Sequence, residues 1–208
     1  MVTNKRNGNR KSRNRKEKLK SPDLGYYFIF TDTEKTEKNY FEGLRDSIPE
    51  KYKSKLIIKV NKSKIRTDKL VDTAYNWVAL QPQYGEAWIV FDRDLVSNFD
   101  SIVEEAGRKN INVGWSNPRP EIWFCSYFGS MPTYQDSVTC CKKFGEKFKK
   151  VTKRDYEKSD YDIYKLLCEY GEEDRAIKIA DKKLKEHNED GNFRPSDMCP
   201  ATTVHKLI

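Results

Sequence analysis

The sequence predicts an α/β fold, with a mostly parallel four-stranded sheet flanked by helices and a helical C-terminal extension. Short apolar runs rich in β-forming residues recur through the first half of the chain. Amphipathic helical patterns separate these runs, as in a parallel sheet that is covered on both faces. From Glu121 onward only helical patterns follow.

The predicted strands are short segments that suit the interior of a sheet. The runs YYFIF and AWIVF are wholly apolar, whereas LIIKV and the weaker NVGW are mixed. Runs of this length, bounded by polar turns, indicate buried strands. The four segments are 26–30, 56–60, 87–91 and 112–115.

The predicted helices carry apolar residues at a spacing of three to four. Thr67-Asp68 resembles a helix start, and Asn98 or Asp100 can cap the helix that ends near Gly107. The helices between the strands are 39–48, 67–81 and one that starts at residue 98 or 100 and ends near residue 107. Those after Glu121 are 122–128, 137–149, 161–170 and 172–187, the last with charges that alternate along an exposed outer face.

The positive charge of the chain is concentrated at its start. The net charge is +8, and the first 20 residues hold nine Lys or Arg against one Glu, so the remainder is balanced. We expect residues 1–22 to be a basic disordered tail that contacts nucleic-acid phosphates. A solvated, solubilising terminus is the alternative. The tail residues assigned to phosphate contact are Arg10, Lys11, Arg13, Arg15 and Lys16.

The rest of the chain is predicted to form two parts. Residues 23–130 form the α/β core, and residues 131–208 form a helical part that packs on it. With 12 Tyr, 10 Phe and 4 Trp, the chain holds enough bulky apolar side chains for a core, which argues against global disorder. The lysine-rich stretch 142–153 is either a second phosphate-facing patch or a solvated helix face.

Cysteine usage and hydropathy indicate a cytoplasmic protein. The five cysteines are odd in number and form no CxxC pair, so neither a disulfide framework nor a zinc site is expected. No apolar run approaches the roughly 18 residues that span a bilayer, and no apolar segment follows the basic start as in a signal peptide.

Acidic residues follow two of the predicted strands. Asp32 follows the first strand, and Asp92 and Asp94 follow the third. If these strands are neighbours, the three carboxylates meet at one edge of the sheet, where parallel sheets bind ligands. Clustered carboxylates repel one another unless cations or protons compensate, and hard oxygen ligands favour Mg²⁺ or Mn²⁺. The sequence therefore predicts a divalent metal site suited to phosphodiester chemistry. Ordinary turn and helix-cap acids are the alternative.

Four segments resemble a known family. They are TDTEKTEKNYFEGL after the first strand, VFDRDLVSNFD after the third, SNPRPEIWFCSYF after the fourth, and the closing PATTVHKLI. Together with the basic start, they resemble the RloB-like family, Toprim-related proteins associated with restriction loci and phage defence. The resemblance implies a Toprim-like (Rossmannoid) sheet, a divalent metal, and a nuclease effector that acts beside an ABC-type or SMC-like ATPase. Related effectors cleave nucleic acid, including tRNA.

The resemblance assigns roles to the acids. Toprim enzymes place Glu-Gly after the first strand, where this chain has Asp32-Thr33, and the shorter side chain retracts the carboxylate by about 1.5 Å. Glu34 and Glu37 match the following acids of the family and could partly substitute in proton transfer. Asp92 and Asp94 match the Toprim DxD motif as metal ligands.

Five further residues are candidates for the site. Glu121 matches an acid of the family at a helix start, where a carboxylate is stabilised anyway. Asn117 is expected to line the same crevice. Lys35 and Arg93 are candidates for phosphate contact or for salt bridges. His205 is a candidate general acid or phosphate contact.

Three classes of function remain open at this stage. The first is an Mg²⁺-dependent nuclease that cleaves RNA or DNA. The second is a non-catalytic Toprim-like subunit with a lapsed site, which the Asp32-Thr33 departure would mark. The third, a phosphotransferase with an aspartate nucleophile, fits less well because its DxD motif would follow the first strand. No GxxxxGK[ST] motif occurs in the sequence, so an ATPase would be a separate chain.

Overall fold

The structure is a computed structural model that describes residues 25–80, 85–94, 96–134 and 136–208. The predicted basic tail, with its five phosphate-contact residues, lies outside the described residues. One sheet runs through the molecule in the strand order β2-β1-β3-β4-β5. Its strands are β1 (Gly25–Thr31), β2 (Leu56–Val60), β3 (Glu86–Asp92), β4 (Asn112–Asn117) and β5 (Ala201–Thr202).

Seven α-helices accompany this sheet in the described parts of the chain. A 3₁₀ turn over Thr67–Lys69 leads into the second helix, as the predicted helix start there implied. The helices are α1 (Thr36–Ser47), α2 (Leu70–Leu80), α3 (Phe99–Arg108), α4 (Glu121–Tyr127), α5 (Ser137–Thr152), α6 (Ile163–Tyr170) and α7 (Glu173–Glu189).

Helices cover both faces of the sheet. Alternate side chains of β1 accordingly lie in two different apolar clusters, one on each face. Ile29 points into an apolar cluster shared with α1 and α4 to α7. Its neighbours Phe28 and Phe30 point into a second cluster with α2 and α3. Successive residues of a strand face opposite sides, so a strand buried on both faces must be apolar throughout. The α/β prediction, with a mostly parallel sheet flanked by helices, is confirmed, and the architecture is Rossmann-like.

The fifth strand corrects the prediction of four strands followed only by helices. Ala201–Thr202 pairs antiparallel with the end of β4. The Thr202 hydroxyl donates to the Trp115 carbonyl (2.9 Å), and the Trp115 amide donates to the Thr203 hydroxyl (2.9 Å). A two-residue strand is too short to show a hydrophobic period, and side-chain hydrogen bonds hold it in place instead.

The order of the strands determines where a ligand can bind. From β1 the chain moves outward to β2 and then returns to place β3 on the other side of β1. The two crossovers therefore diverge between the carboxyl ends of β1 and β3, which is the topological switch point of the sheet. None of the helices in the described ranges is long and apolar enough to cross a bilayer.

Candidate functional site

The switch point opens into a crevice that the acids after β1 and β3 line. The two strands pair in parallel, with Thr31 opposite Val90, so Asp32 and Asp92 leave the sheet at the same edge, one position apart in register. The larger lobe of the crevice has a volume of about 610 Å³. Its lining residues include Asp32, Asp92, Asp94, Lys64, Arg66, Thr67, Asn98, Arg119 and Lys158. A smaller lobe of about 310 Å³ adds Glu34, Lys35 and Glu37.

Asp32 lies directly after β1 and is held by one hydrogen bond. The Thr67 hydroxyl, from the turn before α2, donates to Asp32 Oδ2 (2.7 Å). Asp32 Oδ1 is buried and has no hydrogen-bond partner among the described residues. Burial raises the pKa of Asp32, against the lowering effect of the Thr67 hydrogen bond. One oxygen of this carboxylate is therefore fixed while the other is free to bind a ligand.

Glu37 lies in the first turn of α1 and is buried. The Thr33 hydroxyl donates to Glu37 Oε2, and Glu37 Oε1 is buried without a partner in the described part of the chain. Burial, reinforced by the nearby charge of Asp32, raises the pKa of Glu37 to about 7. This carboxyl group can therefore hold or release a proton near neutral pH.

Asp92 and Asp94 lie at the end of β3 and differ in their partners. Burial, followed by the charges of Glu37, Asp32 and Asp94, raises the pKa of Asp92 to about 9. Asp94 instead forms a salt bridge with Arg119, which follows β4. Asp92 is thus a protonated acid at neutral pH as long as no cation is bound, whereas Asp94 already has a positive partner.

Glu121 opens α4 and is completely buried. The Tyr156 hydroxyl donates to Glu121 Oε1 (3.0 Å), and Lys158 Nζ lies 3.7 Å from the same oxygen. Glu121 Oε2 is buried and has no partner among the residues described. Its charge adds to the electrostatic field at Glu37, so Glu121 belongs to the same cluster.

The donor set of this cluster fits a hard divalent cation. Three buried carboxylate oxygens have no partner among the described residues, and hydroxyl groups or a lysine hold the opposite oxygen of each side chain. Carboxylate oxygens are the ligands that Mg²⁺ and Mn²⁺ prefer. Within the described ranges, no three His, Cys, Asp or Glu side chains converge tightly enough to form a preassembled metal site. This arrangement suits a cation such as Mg²⁺, which keeps several waters and uses one or two carboxylates.

Two further predicted residues, Glu34 and Lys35, reach the crevice at its rim. Both are exposed and line the smaller lobe. Glu34 Oε1 accepts a hydrogen bond from the backbone amide of Lys64 (3.1 Å), which ties the loop after β1 to the loop after β2. Lys35 immediately precedes α1 and faces the lobe that Glu37 occupies.

The structure does not bring Arg93 or Asn117 into the crevice. Arg93 lines a separate polar recess with Arg194 and the start of α3, because successive residues after a strand alternate in direction and Asp92 and Asp94 take the crevice side. Asn117 is buried, and its side-chain amide donates to the carbonyls of Pro195 and Ser196 (both 3.1 Å). Asn117 therefore anchors the segment that leads to β5.

His205 also lies away from the crevice. Its Nε2 is 2.9 Å from Asp181 Oδ1 on α7, and burial lowers its pKa. The chain runs antiparallel to β4 here, which carries His205 toward the opposite end of the sheet from the carboxylates. Its position beside Trp123 and α7 indicates a structural role in holding the C-terminus against the core.

Sequence reasoning missed several crevice residues. Thr67 carried a signal as a helix start, and Arg119 lies in the NPRPE segment that follows β4. Tyr156 and Lys158 carried none, because they come from the loop between α5 and α6, far along the chain from any strand end. The missed residues that touch the acids are Lys64, Thr67, Arg119, Tyr156 and Lys158.

One comparison with known proteins identifies a family. The family model described as "RloB-like protein" matches residues 27–208, nearly the whole chain. No curated protein and no solved structure matches the chain. The matched region contains all five strands except the first two residues of β1, together with the whole crevice. The chain therefore belongs to the RloB-like family.

Proposed function

We propose that this protein is a metal-dependent nuclease that cleaves phosphodiester bonds in RNA, with tRNA as one candidate, or in DNA. The observation that carries the proposal is the cluster of buried carboxylates at the switch point of the sheet. Three of its oxygens have no partner within the part of the chain that the structure describes, and cationic side chains line the crevice around it. Such a cluster of buried carboxylates destabilises the fold unless protons or a cation compensate its negative charge.

The residues that would hold Mg²⁺ or Mn²⁺ are Asp32 and Asp92, with Asp94 as a third candidate after release from Arg119. When bound, the cation would neutralise phosphate charge and activate a water or hydroxyl nucleophile. Asp32 Oδ1 suits this role because it has no hydrogen-bond partner among the described residues, while Thr67 fixes Oδ2.

Glu37 and Glu121 supply the remaining chemistry. Glu37 Oε1 holds or accepts a proton, since a pKa of about 7 matches neutral operating conditions. Tyr156 orients Glu121 through its hydroxyl, and Thr33 orients Glu37 in the same way. Glu37 can thereby take over the proton transfer for which Asp32, one methylene shorter than the Toprim glutamate, is less well placed.

The family resemblance supports a proposal about the biological setting. We propose that the protein is the effector of a bacterial anti-phage defence system of the abortive-infection kind, that it acts in the cytoplasm, and that a separate ABC-type or SMC-like ATPase controls it. The basic residues at the start of the chain support binding to nucleic acid, because their charge favours counterion release from phosphates.

A cleavage assay tests the proposal. Purified protein is incubated with plasmid DNA and with total tRNA, in Mg²⁺, in Mn²⁺ and in EDTA, with and without a candidate ATPase. We expect metal-dependent cleavage of at least one substrate and its loss in Asp92→Ala. Asp46→Asn, an exposed acid paired with Arg45, is the matched control. If no substrate is cleaved under any of these conditions, the nuclease proposal is wrong.

A second candidate is a non-catalytic Toprim-like subunit that binds a ligand or a partner. The observation that favours it is the Arg119–Asp94 salt bridge, which occupies one carboxylate of the DxD motif, together with Asp32-Thr33 in place of Glu-Gly. Metal binding without cleavage of either nucleic acid, in the presence of the ATPase, would favour this candidate.

A further inference from the structure

Four cationic side chains line the larger lobe of the crevice: Lys64, Arg66, Arg119 and Lys158. Two of them already have close carboxylate partners. Arg66 donates two hydrogen bonds to Asp68 (2.8 and 3.0 Å), and Arg119 pairs with Asp94. A guanidinium group that is engaged in this way has part of its charge compensated and fewer N–H donors left for a phosphate.

The two lysines differ from the two arginines. Lys64 forms no salt bridge with any residue in the described ranges, although its charge lowers the pKa of Asp32. Lys158 has one partner at 3.7 Å, Glu121 Oε1, and that oxygen already accepts the Tyr156 hydroxyl at 3.0 Å. Both ammonium groups therefore keep hydrogen-bond donors free for a ligand.

The lysines lie on either side of the carboxylates. Lys64 belongs to the loop after β2, on the outer side of β1 and Asp32. Lys158 approaches Glu121, which follows β4 on the far side of β3 and Asp92. Both side chains line the larger and the smaller lobe of the crevice. A chain that passes over the carboxylates would meet one lysine as it enters and the other as it leaves.

We propose that Lys64 and Lys158 form a two-lysine clamp that binds the phosphodiester backbone of a nucleic acid across the carboxylate cluster. This inference rests on the proposed function and names its substrate contacts. An acidic cluster repels a polyanion, and two flanking ammonium groups offset that repulsion while leaving the acids free. The clamp contacts phosphates rather than bases, so it adds affinity without sequence preference. Because Lys158 belongs to the loop between α5 and α6, this loop would form one side of the nucleic-acid site.

A salt-dependence experiment tests the clamp. Binding of a short fluorescent single-stranded oligonucleotide is measured by anisotropy in EDTA, where cleavage does not interfere, across a series of salt concentrations. We expect Lys64→Ala and Lys158→Ala each to weaken binding several-fold and to reduce the slope of log K against log salt by about 0.7. Lys158→Arg should restore the slope, because it keeps the charge.

Lys55→Ala is the matched control. Lys55 is exposed and directly precedes β2, whereas Lys64 follows the same strand. The two lysines therefore lie at opposite ends of β2. The clamp is overturned if Lys64→Ala and Lys158→Ala keep the slope of wild type and of Lys55→Ala, or if wild type does not bind the oligonucleotide.

The clamp and the nuclease proposal can fail separately. If wild type cleaves nucleic acid while both lysine variants bind like wild type, the clamp is wrong and the nuclease stands. If the lysine variants lose slope but wild type never cleaves, the clamp stands and the protein is a binding module. Circular dichroism of each variant checks that the fold is intact.

Discussion

Acidic side chains in the crevice and on the helix surfaces behave in opposite ways. On the surface, Asp136 accepts the Thr139 amide (2.7 Å), and Glu186 accepts Lys183 Nζ (2.7 Å); both pKa values are lowered by these hydrogen bonds. In the crevice, burial raises the pKa values of Asp92 and Glu37. These surface acids are thus stabilised as anions, whereas Asp92 and Glu37 have no salt-bridge partner in the described ranges, and a bound cation could supply the missing counter-charge.

The largest expected effect comes from removing a crevice carboxylate. Asp92→Ala should lower cleavage by at least about 100-fold, as the loss of a preorganised charge in a catalytic site does. Asp72→Ala, which removes an exposed acid paired with Lys109, should leave the rate within about twofold. Initial rates under single-turnover conditions measure both. Equal losses of cleavage rate in the two variants would contradict the distinction between crevice acids and surface acids.

The second effect concerns stability and pH in the metal-free protein. The pKa of Asp92 rises from 3.8 to about 9 on folding, and that of Glu37 from 4.5 to about 7. The folded state therefore binds more protons than the unfolded state between these values, so stability falls as pH rises through this window. Asp92→Asn should remove the larger part of this loss of stability. We expect the part it removes to be at least about 1 kcal/mol in the free energy of unfolding near pH 9.

Denaturant unfolding in EDTA at several pH values measures this effect. For the surface acid Asp136, whose pKa is lowered, the sign is the reverse, and its contribution is lost as pH falls. Asp136→Asn should therefore leave the fall above neutral pH unchanged. A wild-type stability that stays flat between the unfolded and folded pKa values of Asp92, 3.8 and about 9, would contradict the electrostatic account of the crevice.

The third effect concerns the hydrogen bond that orients Glu121. Tyr156→Phe leaves a buried carboxylate oxygen without its donor, which should cost about 1–3 kcal/mol of stability. The pH profile of cleavage should shift as well, because the charge of Glu121 raises the pKa of Glu37. Tyr161→Phe, at an exposed tyrosine, is the control and should change neither quantity.

The smallest expected effect on cleavage comes from His205. His205→Gln should change cleavage by less than about twofold, because its partner is Asp181 and not a crevice acid. The variant should lower the thermal midpoint, since its ring is buried beside Trp123. A large loss of cleavage without a change in stability would show that this residue acts in the reaction.

The contrast between His205 and Asp92 shows what a sequence can predict. Asp92 follows a wholly apolar strand, and both the strand and its direction could be recognised from local pattern. The four parallel strands, all seven helices of the described ranges and the meeting of Asp32 with Asp92 were predictable in the same way. These features depend on residues that are close in sequence or on the general rule for parallel sheets.

The residues that sequence reasoning did not place depend on contacts between distant segments. The Tyr156 hydroxyl reaches Glu121 across 35 positions, and the Thr202 hydroxyl reaches Trp115 across 87. No local pattern encodes such contacts, because loop and edge-strand side chains carry no period. The position of Arg93 outside the crevice is different, because the alternation of successive residues after β3 already separates it from Asp92 and Asp94.

The most direct test of the account is calorimetric titration of the purified protein with Mn²⁺ at neutral pH, in buffers of different ionisation enthalpy. We expect binding that releases protons, because Asp92 and Glu37 hold them in the metal-free protein. Asp92→Asn should weaken binding and release fewer protons, while Asp72→Asn should match wild type. Absence of binding, or equal binding by Asp92→Asn, would contradict the claim that the crevice is a metal centre.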